Sequence, residues 1–176
     1  MKISIITVTL NSEITISDTL NSILSQNYKN IEHIIVDGGS TDRTIEILRK
    51  YPYKNKKIFI KKKFGIYKSI NYGINKSTGK YICILNSDDI FHSNNTIDNL
   101  VKKISKSKKI DIFLGNVAYF QGSNYYKVNR YYSAKNFSRW KMKFGLMTML
   151  VKAQKKLTEY MNVKFKSLFI ETFIIW

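Results

Sequence analysis

Short runs of apolar, β-branched residues alternate along the chain with segments in which apolar residues recur every three or four positions. The first pattern is typical of buried strands and the second of amphipathic helices. The predicted strands cover residues 3–10, 31–36, 57–61, 81–85 and 111–120, with a further one at 125–131. The predicted helices cover residues 13–26, 41 or 42 to 50, 65–79 and 94–105. This alternation predicts an α/β fold with a mostly parallel sheet flanked by helices.

The helix predictions include caps and buried faces. Ser12 is predicted to cap the first helix, and its inner face is predicted to contain Ile16, Leu20, Ile23 and Leu24. Gly65 is predicted to open the third helix and Gly79 to end it. The inner face of this third helix is predicted to contain Ile66, Ile70 and Ile74.

Polar residues and glycines collect where the predicted strands end. The candidates are Thr9 and Asn11 after the first strand, Asp37, Gly38, Gly39, Ser40 and Asp42 after the second, Gly65 after the third, and Asn86, Asp88 and Asp89 after the fourth. In open parallel sheets, ligands bind beyond the carboxyl ends of the strands. The pattern therefore predicts a ligand site at that edge of the sheet.

Two adjacent carboxylates, Asp88 and Asp89, follow the apolar run at 81–85. Like charges this close repel each other and raise each other's pKa unless a positive charge lies between them. A hard divalent cation with oxygen ligands would remove the repulsion, and its free positions usually bind phosphate. The alternative is an ordinary turn, because Asn, Ser and Asp all favour loops.

Length and composition indicate one globular domain. The chain has 176 residues, of which 44% are hydrophobic, and its single cysteine, Cys83, lies on a predicted buried strand. The N-terminus lacks the pattern of a signal peptide, and no apolar run approaches the roughly 18 residues that span a bilayer. A cytoplasmic location is therefore expected, with peripheral contact at the inner membrane face as a further expectation.

The net charge of +18 is unevenly distributed. Residues 1–48 contain three basic and six acidic side chains, whereas residues 49–63 contain eight basic and no acidic ones. Anionic membranes, nucleotide phosphates and nucleic acids would all be attracted to such a protein. The alternative is a compositional bias toward lysine on a solvated surface.

Four ordered segments carry a family resemblance. They are residues 4–11, the segment 34–44 with Asp37-Gly38-Gly39-Ser40, Gly65-Ile66-Tyr67 followed by Thr78-Gly79-Lys80-Tyr81, and Leu85-Asn86-Ser87-Asp88-Asp89. Their order and spacing resemble the family 2 glycosyltransferases of the GT-A fold. The resemblance covers residues 3 to about 120 and continues more weakly to about 147, which suggests a core at 1–120 and a partial acceptor-side region at 121–176.

The resemblance implies a nucleotide-diphosphate-sugar donor, with a UDP-sugar as the first guess. The implied donor-binding residues are Thr9, Asn11, Asp37, Gly38, Gly65, Asn86 and Asp88. It also implies that Asp88 and Asp89 bind Mn²⁺ or Mg²⁺, that transfer inverts the sugar's configuration, and that the acceptor is a saccharide or a lipid-linked molecule. The implied role is the synthesis of a cell-surface polysaccharide or glycolipid.

The chain departs from the family pattern in two places. Lysines at 61–63 stand where relatives tend to have acidic residues before the glycine, and they could bind phosphate or form a solvated loop. The family's acceptor half usually supplies a carboxylate base, and the remaining candidates here are Glu159 and Glu171. The family sequence pattern is expected to end near residue 147. We therefore expect that the chain is shortened in its acceptor half.

Two other functions are considered beside transfer. The first is a nucleotide-sugar-binding remnant without transfer activity. The second is a nucleic-acid-binding protein, which the charge favours but the paired carboxylates oppose, because they repel phosphate unless a metal is present. No nucleic-acid partner is therefore expected.

Overall fold

The computed structural model describes residues 1–106, 112–114, 116–120, 128–132 and 149–152. The strands are β1 (Ile3–Thr9), β2 (Ile31–Asp37), β3 (Lys56–Ile60), β4 (Tyr81–Ile84), β5 (Ile112–Leu114), β6 (Val117–Phe120), β7 (Val128–Tyr132) and β8 (Met149–Lys152). The helices are α1 (Ile16–Leu24), α2 (Thr44–Lys50), α3 (Ile66–Lys76) and α4 (Thr96–Lys106).

The main sheet has the strand order β3-β2-β1-β4-β8-β5. β1 pairs in parallel with β2 and β4, and β2 pairs in parallel with β3. β8 runs antiparallel to both of its neighbours, and β6 and β7 form a separate antiparallel pair. The predicted α/β class, with a mostly parallel sheet flanked by helices, is confirmed.

Apolar side chains cover both faces of the sheet. On one face, α1, α2 and α4 pack on residues such as Ile3, Ile5 and Ile35. On the other face, Ile70 of α3 packs against Ile6 and neighbouring apolar side chains. Because both faces are covered, β1 and β2 are buried along their whole length, as expected for a parallel sheet. Among the residues described, no helix is both long enough and apolar enough to cross a bilayer.

The helix caps differ from the predictions. Helix α1 begins at Ile16, and its first turn uses the backbone carbonyl of Ser12 rather than the serine side chain. Leu24 is exposed because it lies about 80° around the helix from the buried face, at 100° per residue. Helix α3 ends at Lys76, and Gly79 instead lies against Ser4, where a Cβ atom would come 2.6 Å from the backbone nitrogen.

Ile66 was predicted on the inner face of α3, and this is wrong: the side chain is exposed. It lies in the first turn of the helix, whereas burial begins with Ser69 and Ile70. The predicted strand at 111–120 is also wrong as a single element. Its residues form β5 and β6, which belong to different sheets, and β7 lies slightly later than the predicted 125–131.

β8 was not predicted. It lies between β4 and β5 in the main sheet, where Cys83 pairs with Leu150 and Leu150 also pairs with Phe113. A segment from the predicted acceptor-side region thus completes the sheet of the predicted core. The division of the chain near residue 120 stays a prediction.

Candidate functional site

Three of the predicted polar loops follow neighbouring strands. β1 lies between β2 and β4, and Thr9 is opposite Asp37 in the register. The backbone nitrogen of Leu85 donates to the carbonyl of Ile6 at 2.9 Å, so the loop that begins at Asn86 starts beside the end of β1. The structure therefore brings Thr9, Asp37 and Asn86 to one edge of the sheet.

Asp37 organises the loop between β2 and α2. Its side chain is fully buried, and its Oδ1 atom accepts hydrogen bonds from the backbone nitrogens of Gly39 and Ser40, both at 2.8 Å. Its Oδ2 atom accepts a hydrogen bond from the Ser40 hydroxyl at 2.5 Å. Gly39 has a φ of 99°, which favours glycine. The carboxylate thus fixes the backbone that follows β2.

Asn11 joins the loop after β1 to the same segment. Its Oδ1 atom accepts from the backbone nitrogen of Thr41 at 2.9 Å, and its own backbone nitrogen donates to the Ser40 hydroxyl at 2.9 Å. Its φ of 50° lies in the left-handed region, which asparagine tolerates better than most residues. The structure therefore gives Asn11 a bracing role between two loops.

A second connection was missed by the sequence analysis. The hydroxyls of Ser12 and Ser87 are 2.8 Å apart, which ties the loop after β1 to the loop after β4. Ser12 also donates to the carbonyl of Leu10 at 3.3 Å, so its hydroxyl is engaged away from the helix cap. The position of Ser87 inside the Asn86–Asp89 motif was the available signal.

The carboxylate pair lies at the outer side of this edge. Asp88 is exposed and Asp89 is partly buried, and a backbone hydrogen bond of 3.3 Å from Asp89 to Asn86 closes the turn. The described residues contain no cluster of three or more His, Cys, Asp or Glu side chains. Mg²⁺-like ions are usually held by one or two carboxylates, several waters and substrate phosphates, so this donor set fits such an ion.

Two buried side-chain oxygens at this edge, Thr9 Oγ1 and Asn86 Oδ1, have no hydrogen-bond partner among the described residues. Buried polar atoms usually have a partner, because leaving one without costs about 1–3 kcal/mol. Both residues were predicted donor-site residues. A polar ligand or ordered water at the edge would satisfy these oxygens.

Gly38 and Gly65 have different surroundings. A Cβ atom on Gly38 would lie 3.3 Å from Cδ1 of Leu10, so this glycine lets the two loops approach closely. Gly65 stands at the N-terminus of α3 with no neighbouring atom within 4 Å of an added Cβ, and no side chain caps the helix. Gly65 thus faces open space, as a ligand-contacting position requires.

The two histidines and the cysteine have different surroundings. His33 is buried, with its Nε2 atom 2.9 Å from the Thr7 hydroxyl, and burial together with the Lys56 charge lowers its pKa to about 3. His92 is exposed. Cys83 is buried, which raises its pKa to about 12 and makes it a packing residue. The candidate bases Glu159 and Glu171 lie outside the described residues.

A model of the family described as glycosyl transferase family 2 matches residues 4–163. The match includes β8, so the expectation that similarity ends near residue 147 is wrong. An uncharacterized glycosyltransferase from Haemophilus influenzae is 30% identical over 191 residues, which cover 92% of this chain and 67% of the relative.

Two solved structures show the same fold. S. aureus TarS 1–349 in complex with UDP-GlcNAc has a TM-score of 0.70 and 22% identity, covering 93% of this chain and 48% of that chain. The mannosyltransferase PcManGT from Pyrobaculum calidifontis, in complex with GDP-Man and Mn²⁺, has a TM-score of 0.59 and 23% identity, covering 63% and 34%. These structural neighbours are GT-A glycosyltransferases.

The chain spans only part of the length of each of these relatives. It covers 18%, 67% and 38% of the length of three curated glycosyltransferases that it matches. The family match, in contrast, covers nearly all of this chain, and the predicted family resemblance is confirmed. The chain belongs to glycosyltransferase family 2.

Proposed function

We propose that the carboxyl edge of the sheet binds a nucleotide-diphosphate-sugar and that the protein transfers the sugar to an acceptor hydroxyl. The observation that carries this proposal is the convergence of the loops after β1, β2 and β4, which are tied together through Asn11–Thr41 and Ser12–Ser87. A ligand that contacts several loops needs them held in one arrangement before it binds. Membership of a glycosyltransferase family favours a nucleotide-sugar over nucleotides that carry no sugar to transfer.

The donor-binding residues that we propose are those on this edge. Thr9, Asn11 and Gly38 line the nucleoside side, and Asp37 either contacts the nucleoside or holds the loop that does. Gly65 offers open space at the positive end of α3, which favours an anionic group. Asn86 and Asp88 lie toward the diphosphate and sugar. The donor that we propose first is a UDP-sugar, and the UDP-GlcNAc in the TarS complex supports it. The GDP-Man in the PcManGT complex makes a GDP-sugar the second candidate.

Asp88 and Asp89 are the residues that we propose to hold Mn²⁺ or Mg²⁺. When bound, such an ion neutralises the diphosphate and stabilises the charge that develops as the nucleotide leaves. The Mn²⁺ in the PcManGT complex supports a divalent ion in this fold. The protein's own contribution is to keep the two carboxylates on a turn fixed by the Asn86 carbonyl and by the Ser12–Ser87 contact.

Transfer also needs a base for the acceptor hydroxyl, and inversion of the sugar's configuration is part of the proposal. Glu159 and Glu171 remain the candidates for the base. The acceptor that we propose is a saccharide or a lipid-linked molecule used for a cell-surface polysaccharide or glycolipid. The basic charge supports peripheral contact with the anionic, cytoplasmic leaflet of a membrane.

A thermal-shift series tests donor binding. UDP and GDP are each added with and without Mn²⁺, since ligands that bind only the native state raise its stability by about 2.7 kcal/mol at a hundred times Kd. For a chain of this size we expect a rise in Tm of roughly 5–10 °C with the preferred nucleotide and Mn²⁺. The double variant Asp88→Asn, Asp89→Asn should keep its own Tm and lose the Mn²⁺-dependent part of the rise. An equal rise in the wild type and the variant would refute the metal assignment.

Transfer itself is tested with the donor found in this way and candidate acceptors. Loss of general base catalysis typically lowers a rate by roughly 10²–10⁴-fold. Turnover that falls by this factor on Glu159→Gln or Glu171→Gln would identify the base. Donor binding without turnover would instead support the nucleotide-sugar-binding remnant.

A further inference from the structure

Residues 47–87 contain eleven basic side chains and no acidic one. Within them, the segment from Ile60 to Lys68 combines lysines at 61, 62, 63 and 68 with Ile60, Phe64, Ile66 and Tyr67. We call this segment the basic loop. It connects the last residue of β3 to the first turn of α3, beside the candidate donor site.

The basic loop is held against the Asp37 loop by its backbone. The Lys61 nitrogen donates to the Asp37 carbonyl at 2.7 Å, and the Phe64 nitrogen donates to the Lys61 carbonyl at 3.2 Å, which closes a turn. Lys63 has a φ of 62° within this turn. Cγ of Lys62 lies 2.8 Å from the place that a Cβ atom on Gly39 would occupy. The loop therefore presents its side chains from a defined position.

Much of the loop's charge is not used inside the protein. The ammonium group of Lys61 lies over the Tyr72 ring, 4.5 Å from its centroid. Lys62, Lys63 and Lys68 are exposed and form no ion pair with the residues that the structure describes. Three exposed lysines within seven residues of sequence, with no acidic residue among them, attract a surface that carries many negative charges.

The same loop exposes apolar area. The exposed fractions are 43% for Ile60, 37% for Phe64, 49% for Ile66 and 46% for Tyr67. Leu10 is 57% exposed and lies beside the Asp37 loop, close to Gly38. A free phosphate or a nucleic-acid backbone offers no apolar surface that would pack against exposed isoleucine and leucine. Apolar and aromatic side chains among lysines are typical of surfaces that enter the interface of an anionic bilayer.

We propose that the basic loop docks the carboxyl edge of the sheet onto an anionic lipid surface. Lys62, Lys63 and Lys68 contact the headgroups, while Phe64, Ile66 and Tyr67 enter the boundary between headgroups and acyl chains. Lipid binding itself does not require enzyme activity. The role that we give to this binding, however, rests on the proposed function. Docking of this edge places the donor site at the surface where a lipid-linked acceptor would be found.

The test measures binding of the full chain to vesicles of phosphatidylcholine with phosphatidylglycerol, and to vesicles of phosphatidylcholine alone. A lysine near an anionic surface contributes about a fivefold factor in binding, so Lys63→Gln with Lys68→Gln should weaken binding to the anionic vesicles about 25-fold. The matched control is Lys54→Gln with Lys80→Gln, which removes the same charge from exposed positions near the amino ends of β3 and β4. The control pair should bind nearly as well as the wild type. Phe64→Ala with Tyr67→Ala should also weaken binding, without any change in net charge.

Two readouts, the Tm and the response to UDP with Mn²⁺, separate lipid docking from misfolding and from a role in donor binding. Lys63→Gln with Lys68→Gln should keep both values. Phe64→Ala with Tyr67→Ala should keep the UDP response but have a lower Tm, because the Phe64 ring packs edge-on against Tyr72. Loss of vesicle binding with the UDP response retained therefore supports the proposal. Equal losses of vesicle binding for the loop pair and the control pair would overturn it, since net charge would then account for the binding. Loss of the UDP response in Lys63→Gln with Lys68→Gln would also overturn it, because the loop would then serve the donor. Wild-type binding to duplex DNA with the same dependence on Lys63 and Lys68 would assign the surface to nucleic acid instead.

Discussion

At the scale of single residues, Asp37 has the most demanding position in the candidate site. Its buried carboxylate accepts hydrogen bonds from two backbone nitrogens and one hydroxyl of its own loop. The same loop receives Asn11 from the end of β1. A substitution of Asp37 should therefore weaken nucleotide binding in two ways, because it removes the carboxylate and also loosens the loop that the carboxylate holds.

Asp37→Ala should weaken UDP binding at least about tenfold, with or without Mn²⁺. The alanine leaves the nitrogens of Gly39 and Ser40 without their acceptor, at a cost of roughly 1–3 kcal/mol in the free energy of unfolding. Asp37→Asn keeps one carbonyl oxygen for both nitrogens and should retain most of the stability. Titration calorimetry with UDP and urea unfolding measure the two effects. Wild-type affinity in Asp37→Ala would contradict the role of this loop.

Glu32 lies at the opposite end of β2 and serves stability. Its side chain accepts from the Ser4 hydroxyl at 2.6 Å and from the Gly79 nitrogen at 3.0 Å, and it pairs with Lys2 at 3.1 Å. Burial alone raises the pKa of Glu32, but hydrogen bonds from Ser4, Thr78 and Lys2 outweigh burial and lower the pKa to about 2. The unfolded chain binds this proton near pH 4.5, so the stabilisation is present above pH 4.5 and is lost as the pH falls toward 2.

Glu32→Gln should therefore lower the free energy of unfolding by roughly 3 kcal/mol at pH 7, the equivalent of a pKa lowered from 4.5 to about 2. Below pH 4.5 the difference between variant and wild type should shrink. Urea unfolding from pH 7 to pH 3 measures this. The buried, neutral His33 also reduces stability as the pH falls below 6.5, but it does so in both proteins and cancels in the difference. A difference that stays constant with pH would contradict the assignment.

Some features of single residues could be predicted from the sequence, and others could not. The order of strands sufficed to bring Thr9, Asp37 and Asn86 to one edge, because carboxyl ends of parallel strands meet there. The Ser12–Ser87 contact and the bracing role of Asn11 depend on how two loops fold against each other. Residue type alone carries no such information, and a serine before a helix predicts a cap equally well.

At the scale of elements, the close packing of α3 on β1 can be tested by one methyl group. A Cβ atom on Gly73 would lie 2.6 Å from Cγ2 of the fully buried Ile6. Alanine inside a helix gains about 1 kcal/mol over glycine, but overpacking typically costs roughly 1–3 kcal/mol. We therefore expect Gly73→Ala to lower the urea midpoint.

The comparison for this substitution is Gly65→Ala at the N-cap of the same helix. An added Cβ there meets no atom within 4 Å, so any fall in the urea midpoint should come from the weaker N-cap preference of alanine and not from overpacking. A stabilised Gly73→Ala chain would show that helix α3 can shift on the sheet. The tight contact of Gly73 was not predictable from the sequence, because a glycine inside a helical pattern does not reveal which side chain of the sheet lies opposite it.

The predictions were most accurate for strands that can be recognised from their own sequence, without knowledge of the strands that flank them. β1, β2 and β4 were predicted to within one residue, since segments rich in isoleucine and valine are typical of strands buried on both faces. β8 was missed because four residues form a strand only when β4 and β5 flank them, far away in the sequence. The split between β5 and β6 was missed because the two segments lie close together in one apolar stretch of sequence, although they pair in different sheets.

At the scale of the whole molecule, the candidate site and the basic loop lie at the same edge of the sheet, whereas other lysines, such as Lys54 and Lys80, lie near the opposite ends of the strands. The loops after β1, β2, β3 and β4 all leave the carboxyl edge, and the basic loop is one of them. The sequence predicted the sheet, the edge and the excess of lysine. It did not predict that Lys62 packs on Gly39, which places the basic loop beside the candidate donor site.

The central claim is that this edge binds a nucleotide diphosphate together with a divalent cation. A crystal structure of the chain with UDP and Mn²⁺, with anomalous data collected near the manganese absorption edge, tests it most directly. The account predicts an anomalous peak in contact with Asp88 or Asp89, with the nucleoside between the loops after β1 and β2. A nucleotide bound elsewhere, or a manganese peak away from both carboxylates, would contradict it.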